Sequence, residues 1–188
     1  MVRHDDSLFF KRESKRSYLD KPVDPDALQR IYEKIRWSPS NSNNQPWRFV
    51  FVRKDDAHHQ AFIEALPLGN QWAGEAPMLI AVCGRRDDDY VREDNPVEYY
   101  QFDCGIATMS LLLAAVEEGL MAHPMAGYDA PKVKGALEIP DDFEVLCVVS
   151  LGYKGPIESL DEHTRKKDES PRTRKPREKV ICEGLWKF

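Results

Sequence analysis

Three continuous apolar runs stand out along the chain, and polar or turn-forming residues bound each of them. They occupy residues 49–52, 78–83 and 145–152. Continuous runs of this length that are rich in Val, Ile and Phe are typical of strands buried on both faces. The sequence therefore predicts three strands in a sheet that other elements cover.

Apolar residues at helical spacing lie around these runs and predict five helices. The first is short, covers Leu8, Phe9 and Phe10, and can be capped by Asp5 or Asp6. The second begins at Asp24 and Pro25 and ends at Pro39, and the third begins at Asp55 and Asp56. The fourth and longest covers residues 102–120, and the fifth lies between Asp129 and Pro140. Residues 123–128 are predicted as a compact loop. Because helices and strands interleave, the fold class is α+β or α/β.

The longest predicted helix carries apolar residues over most of its circumference: Ile106, Met109, Leu112, Leu113 and Val116. A helix that is apolar nearly all round is usually buried. We therefore expect it to lie at the centre of the molecule, and Gly119 can close its C-terminal end.

Length and charge narrow the class of protein. With 188 residues, 41% of them hydrophobic and 31% charged, the chain is expected to form one domain over residues 1–188, with an extended C-terminal arm from about residue 154. A net charge of −5 argues against general nucleic-acid binding. The first residues lack an apolar signal core, and the longest mostly apolar run, residues 104–116, is too short to span a bilayer.

The four cysteines are scattered over strands, a helix and the tail, without the spacing of a metal site or a disulfide framework. Reduced thiols are typical of the cytoplasm, which is the expected compartment. The sequence contains no glycine-rich phosphate loop and no G-x-S-x-G, and its five histidines show no metal-ligand spacing. If the chain is an enzyme, a cofactor is expected to carry the chemistry.

The loop over residues 38–47 reads Ser-Pro-Ser-Asn-Ser-Asn-Asn-Gln-Pro-Trp. It joins a predicted helix to a predicted strand, and such a connection can be made with far fewer polar residues. Side-chain amides and hydroxyls at this density indicate a loop that binds a ligand.

Two basic segments have two interpretations each. Residues 11–18 are either a solvated helix end or an anion site, with Arg12 and Arg16 as forked donors and Ser14 as a hydroxyl donor. The cation-rich tail over residues 165–179 is either disordered and solvated or fixed onto a binding partner.

Together, these motifs resemble the FMN-dependent nitroreductase family. Residues 12–18 are similar to its Arg-x-Ser-x-Arg/Lys-x-aromatic motif, and residues 39–47 match its Pro-Ser-x-x-Asn-x-Gln-Pro-Trp signature. Further matching segments follow in the family's order: Asp103-Cys104-Gly105, Pro124-Met125-Ala126-Gly127-Tyr128, Leu151-Gly152-Tyr153 and Arg172-Thr173-Arg174-Lys175-Pro176. The resemblance covers nearly the whole chain.

The resemblance implies an α+β fold in which helices flank a central mixed sheet, built as an intertwined homodimer with FMN shared between subunits. It places Arg12, Ser14 and Arg16 at the FMN phosphate and ring edge, with Arg172 and Arg174 at the same phosphate. The other implied cofactor contacts are Pro124, Met125, Ala126 and Gly127 on one face of the ring, Ser40, Asn41 and Asn43 from the partner subunit, and Asn70.

The chemistry of FMN agrees with these assignments. A phosphate monoester needs several charge-assisted donors, which two arginine-containing segments far apart in sequence can supply together. Amide side chains both donate and accept, as the carbonyls and nitrogens of a flavin ring require. At position 126 the residue is Ala where some relatives carry an acid, so only its backbone is expected to act.

The segment between the second predicted strand and the longest helix, about residues 84–101, is shorter than in larger family members. Tyr90, Tyr99 and Tyr100 lie in or beside it and are the candidates to line a substrate pocket. The resemblance implies ping-pong chemistry in which NADH or NADPH reduces the flavin and a nitroaromatic or quinone reoxidises it. Flavin-dependent dehydrogenation, dehalogenation or flavin destruction, and a non-catalytic flavin-binding dimer, are the alternatives.

Overall fold

The computed structural model describes residues 7–90, 94, 95 and 97–188. Its four strands are β1 (Trp47–Arg53), β2 (Met78–Gly84), β3 (Met121–Met125) and β4 (Glu144–Gly152). Its six α-helices are α1 (Leu8–Lys11), α2 (Pro25–Arg36), α3 (His59–Glu64), α4 (Tyr99–Glu117), α5 (Ala130–Leu137) and α6 (Glu162–Glu169). Among the described residues, none of the helices is long and apolar enough to cross a membrane.

The strands form one sheet in the order β1-β2-β4-β3, and each neighbouring pair is antiparallel. The α+β class is therefore confirmed, but the expected mixed sheet is wrong for the four strands described. A long helix between two strands usually joins parallel neighbours. Here α4 joins β2 to β3, which run in the same direction, but β4 lies between them and is antiparallel to both.

Helices cover both faces of the sheet. Ile80 on β2 packs in one core with Ile31 of α2 and Leu111 of α4. Leu79, the neighbouring residue on β2, packs in the other core with Phe62 of α3 and Val133 of α5. Because successive strand residues point to opposite faces, a strand between two helical layers is apolar at every position. All of β2 is accordingly buried, as its apolar run predicts.

The predicted helix starts at Asp24 and Asp129 are confirmed by their caps. The Asp24 side chain accepts a hydrogen bond from the Asp26 N–H, and that of Asp129 accepts one from the Lys132 N–H. The predicted cap of the first helix, at Asp5 or Asp6, lies outside the described residues. That helix begins after Ser7, whose side chain makes no capping hydrogen bond.

Strand β3 was not expected, because residues 123–128 were predicted as a loop. It is a five-residue strand with Pro124 inside it. Proline lacks an N–H and is tolerated mainly in edge strands, and β3 is at the edge of the sheet. A short proline-containing segment gives no clear strand pattern, although four of its five residues are buried.

The C-terminal arm follows β4. Its helix α6 buries only Thr164 and Asp168, and residues 171–188 are exposed along their whole length. Trp186 and Phe188 stack edge to face on each other, with ring centroids 4.8 Å apart. The arm thus consists of a helix and an exposed tail that carries aromatic residues.

Candidate functional site

The two basic segments of the chain meet at one cavity of about 290 Å³. We call six of its lining residues the cation cradle: Arg12, Ser14, Lys15, Lys167, Arg172 and Arg174. The carboxylates of Glu13 and Asp168 also belong to the lining. The segment after α1 supplies the first three cradle residues, and the end of α6 and the tail supply the others. The structure therefore brings together side chains more than 150 positions apart, as the anion-site interpretation requires.

Within the cradle the arginines face one another. The Arg12 guanidinium donates to Ser14 Oγ at 3.1 Å, and Arg172 donates to the Phe10 carbonyl at 2.6 Å. Burial lowers the pKa of Arg12, and the nearby charges of Arg172 and Arg174 lower it further. Like charges held together in this way are stabilised by an anion placed between them.

Arg16 lies outside the cradle lining. Its guanidinium pairs with the buried carboxylate of Asp168 at 2.5 Å and lies 5.6 Å from the ring centre of Trp72. The sequence grouped Arg16 with Arg12 because both belong to one short motif. The structure separates them, because the carboxylate from α6 holds Arg16.

The end of β3 and the turn around Asn70 meet beside this region. Asn70 Nδ2 donates to the Gly127 carbonyl at 2.8 Å. A Cβ at position 127 would lie 2.8 Å from that nitrogen, so a side chain there would displace the Asn70 amide. Pro124 is half-buried and Ala126 is exposed, while Met125 packs into the core. The side chain of Met125 is therefore structural, and its backbone is the part left for a ligand.

Trp72 and His123 connect these segments, although the sequence did not single them out as site residues. Their ring centroids are 4.7 Å apart, and His123 Nδ1 is 3.0 Å from the Lys15 carbonyl oxygen. Since a carbonyl only accepts, Nδ1 carries the proton and donates. Burial lowers the pKa of His123, so the neutral ring is favoured. The sequence did not indicate Trp72 or His123 as site residues because single residues leave no periodic pattern. The contact of His123 with Lys15 becomes visible only in the folded structure.

The loop over residues 38–47 has a strained backbone. Ser42, Asn43 and Gln45 have φ values of 49°, 58° and 51°, in the left-handed region that non-glycine residues rarely adopt. Helix α4 anchors the loop at two points. Asp103 Oδ2 accepts from the Asn41 N–H at 2.9 Å, and Ser38 Oγ donates to Ser110 Oγ at 2.7 Å.

A second, larger cavity of about 860 Å³ opens beside this loop. Ser40 and Asn41 line it, together with Tyr90, Tyr99 and the buried Asp103. Asn43 is exposed on the same loop but is not among the lining residues. No described residue lines both this cavity and the cation cradle.

Tyr100 does not line this cavity, unlike Tyr90 and Tyr99. It is 1% exposed, and its hydroxyl donates to the Glu144 carboxylate at 2.8 Å. Successive residues on a helix point about 100° apart, so Tyr99 and Tyr100 cannot both face the cavity. The sequence placed all three tyrosines together because it did not show where the helix begins.

The described residues that line the two cavities supply cations, hydroxyls and amides and include no cysteine. Burial raises the pKa of the Cys83 thiol to about 11 and that of Cys104 to about 12, which leaves both thiols protonated and unreactive at neutral pH. Among the described residues no group of His, Cys, Asp or Glu has the arrangement of a metal site. The arrangement fits an anionic, polar-edged ligand that brings its own reactivity.

Comparison with known proteins gives consistent results. A model of the nitroreductase family matches residues 10–66 and 55–153. A 15.4 kDa protein of Mycolicibacterium smegmatis, itself uncharacterised, is 36% identical over 147 residues, which cover 74% of this chain and 97% of that protein. A candidate NADH dehydrogenase/NAD(P)H nitroreductase of Stenotrophomonas maltophilia is 31% identical over 80% of this chain and 85% of its own length.

Solved structures share the fold. A crystal structure of an oxidoreductase containing FMN has a TM-score of 0.87 and 34% identity, and the match covers 97% of this chain and 92% of the other. A nitroreductase family protein from Clostridium difficile has a TM-score of 0.78 at 23% identity, covering 95% and 97% of the two chains. That second likeness concerns the fold alone.

Proposed function

Since this chain belongs to the nitroreductase family, we propose that it is an FMN-dependent NAD(P)H oxidoreductase that reduces nitroaromatic, quinone or similar acceptors by a ping-pong mechanism. The observation that carries the proposal is the cation cradle, in which Arg172 and Arg174 lower the pKa of Arg12. The FMN named in the oxidoreductase at 34% identity supports the choice of cofactor.

The cradle residues suit the phosphate end of FMN. A phosphate monoester carries close to two negative charges and accepts several hydrogen bonds. Arg12, Arg172 and Arg174 supply forked donors, and Ser14 supplies a hydroxyl that already contacts Arg12. An anion there would relieve the repulsion among the three arginines, so its binding is favoured by the charges already present.

The end of β3 suits one face of the ring. Ala126 and Gly127 are exposed and Pro124 is half-buried, so a ligand can reach them, while Met125 anchors the strand in the core. Asn70 fixes the position of this turn through the Gly127 carbonyl. When bound, FMN supplies the hydride-accepting N5, and the protein's part is to orient the ring and to aim N–H dipoles at it. Arg16, held outside the cradle by Asp168, is then available for the ring edge.

The second half of the site comes, in this proposal, from the partner subunit of a homodimer. Ser40 and Asn41 line a cavity that shares no described residue with the cation cradle. Asn43 is exposed on the same loop. A second copy that brings its loop to the cradle would complete the polar surroundings of the ring, with Tyr90 and Tyr99 beside the substrate.

A stripe on α4 supports the homodimer. It consists of residues at helical spacing that stay partly exposed in the single chain: Phe102, Ile106, Met109 and Leu113. Phe102 is 63% exposed. A helix that is apolar all round is expected to be covered on every side, and a second copy covers this one. The proposal needs a compartment that holds NADH and NADPH, and the cytoplasm meets that need.

The test is a spectrum followed by two half-reactions. Purified protein is expected to be yellow and to bleach when it is mixed with NADH or NADPH without oxygen. Adding a quinone such as 1,4-benzoquinone should restore the colour, and steady-state plots against both substrates should give the parallel lines of a ping-pong mechanism.

Two results would count against the proposal. Protein that is colourless and takes up no added FMN would exclude the flavin assignment. Protein that is yellow but keeps its colour with both nicotinamide donors would favour a non-catalytic flavin-binding dimer over a reductase.

A further inference from the structure

Helix α6 is held to the body of the protein by very few side chains. Of its eight residues only Thr164 and Asp168 are buried, and the chain beyond it is exposed. Asp168 is 3% exposed, although its neighbour Glu169 is exposed. A carboxylate so deeply buried on a solvated helix needs strong partners.

Those partners all belong to the N-terminal basic segment. Asp168 Oδ2 accepts from the Arg16 backbone N–H at 2.8 Å, and Oδ1 pairs with the Arg16 guanidinium. The Asp168 carbonyl also accepts from the Lys15 ammonium. One residue of the arm therefore holds both the backbone and the charges of a segment 152 positions away.

The like charges of the cradle arginines act against the position of the tail, and the contacts of Asp168 act in the opposite direction. Arg172 and Arg174 lie only a few residues beyond Asp168, and they face Arg12 closely enough to lower its pKa. Without a bound anion, the three arginines repel one another. Glu13 and the hydrogen bond from Arg172 to the Phe10 carbonyl offset part of this repulsion. The Asp168 carboxylate supplies the opposing attraction, and it pairs with Arg16 rather than with the cradle arginines.

We propose that Asp168 is a positioning residue that gives the site its preference for FMN over riboflavin. It holds the arm so that Arg172 and Arg174 reach the cradle, and it keeps Arg16 out of that cradle. This inference rests on the proposed function, because it concerns the phosphate by which FMN differs from riboflavin.

The test compares two flavins on the apo-protein of the full chain. Dissociation constants for FMN and riboflavin are measured from the quenching of flavin fluorescence, for the wild type and for Asp168→Asn. We expect the variant to bind FMN at least about tenfold more weakly, an effect of the size of one charge-assisted hydrogen bond. Riboflavin binding should change much less, because riboflavin has no phosphate for the cradle to hold and can respond only to a shift of Arg16 at the ring edge.

Two further variants serve as controls for the dissociation constants of Asp168→Asn. Glu169→Gln removes a carboxylate from the next position of the same helix and should change neither constant. Arg172→Ala removes a cradle cation directly and should reproduce the selective loss of FMN. Circular dichroism and the melting temperature of each apo-variant show whether the fold survives.

An arm-release measurement keeps the inference testable if binding is lost altogether. Trypsin cleaves after the Lys and Arg residues of the arm, and Asp168→Asn should be cut there faster than the wild type and Glu169→Gln. Arg16→Gln, which breaks the same ion pair from the other side, should also speed this cleavage.

Three outcomes would overturn the role of Asp168. These are an unchanged ratio of the two dissociation constants, an equal loss for both flavins, or tighter FMN binding because a freed Arg16 joins the cradle. A wild type that binds neither flavin would instead contradict the proposed function, and the trypsin comparison would still report whether Asp168 holds the arm.

Discussion

At the scale of single residues, Asp103 shows how a buried carboxylate anchors the loop over residues 38–47. Its carboxylate accepts the Asn41 N–H at 2.9 Å, next to three residues with left-handed backbone. Such conformations persist only when their surroundings hold them in place. Burial raises the pKa of Asp103, and the Asn41 N–H acts against that rise.

We predict that the acceptor oxygen of Asp103 matters more than its charge. Asp103→Leu leaves the Asn41 N–H without a partner and should lower the free energy of unfolding by about 1–3 kcal/mol. Asp103→Asn keeps an acceptor and should stay within about 1 kcal/mol of the wild type. Urea unfolding of the apo-proteins at one protein concentration measures the free energy of unfolding of both variants. An equal loss of this free energy in the two variants would show that the charge of Asp103 matters more than its acceptor oxygen.

Arg16 and Tyr100 mark the limit of prediction at this scale. Residue type and motif spacing predict an anion site over residues 11–18, because forked cations and hydroxyls suit few other ligands. They did not show that Arg12 and Arg16 lie apart, since the position of Arg16 depends on Asp168, far along the chain. Likewise, the placement of Tyr100 depends on where α4 begins, and side chains one residue apart diverge.

At the scale of elements, the sequence correctly predicted the helices and strands whose apolar pattern agrees with the turn-forming or capping residues at their ends. Strands β2 and β4 are long apolar runs, and the starts of α2 and α5 are marked by an aspartate followed shortly by proline. Strand β3 was missed because its pairing comes from β4 rather than from its own residues. Strand β1 was expected to be buried on both faces, and its central residues are half-exposed in the single chain.

The packing of α4 on β2 depends on Gly84. A Cβ there would lie 2.9 Å from Cys104 Sγ and 3.0 Å from Tyr100 Cδ2, so these two side chains of α4 would have to move. We predict that Gly84→Ala destabilises the protein by about 1–3 kcal/mol because α4 must shift.

The matched control for that change is Gly135→Ala on α5. Position 135 is exposed, and a Cβ there meets nothing within 4 Å. The substitution should stabilise the helix by about 0.5–1 kcal/mol through its higher helix propensity. Unfolding curves in urea compare the free energies of unfolding of the two variants. If Gly84→Ala leaves this free energy unchanged, α4 and β2 have room for a Cβ between them, which would contradict the prediction.

At the scale of the whole molecule, we propose that one flavin site is built from two chains. The cation cradle and the loop cavity have no described lining residue in common, and α4 carries a partly exposed apolar stripe. Family resemblance alone led to the shared site at the sequence level, because periodicity and composition carry no information about a second copy. The fold adds an observation that supports the proposal, which is that the two cavities are separate within one chain.

A mixed dimer tests this directly. One subunit carries Arg12→Ala and Arg172→Ala, which remove cradle cations, and the other carries Asn41→Ala and Asn43→Ala, which remove loop amides. Each variant alone is expected to form homodimers that retain little FMN. In the heterodimer, isolated with two different affinity tags, one site collects both defects and the other collects neither.

The decisive quantity is the amount of FMN bound per heterodimer, measured from flavin absorbance after gel filtration. If the cradle of one subunit works with the loop of its partner, the heterodimer recovers one intact site and retains FMN at half the wild-type level. If each chain builds its site alone, both sites remain damaged and the heterodimer retains no more FMN than the two variant homodimers, which would contradict the account.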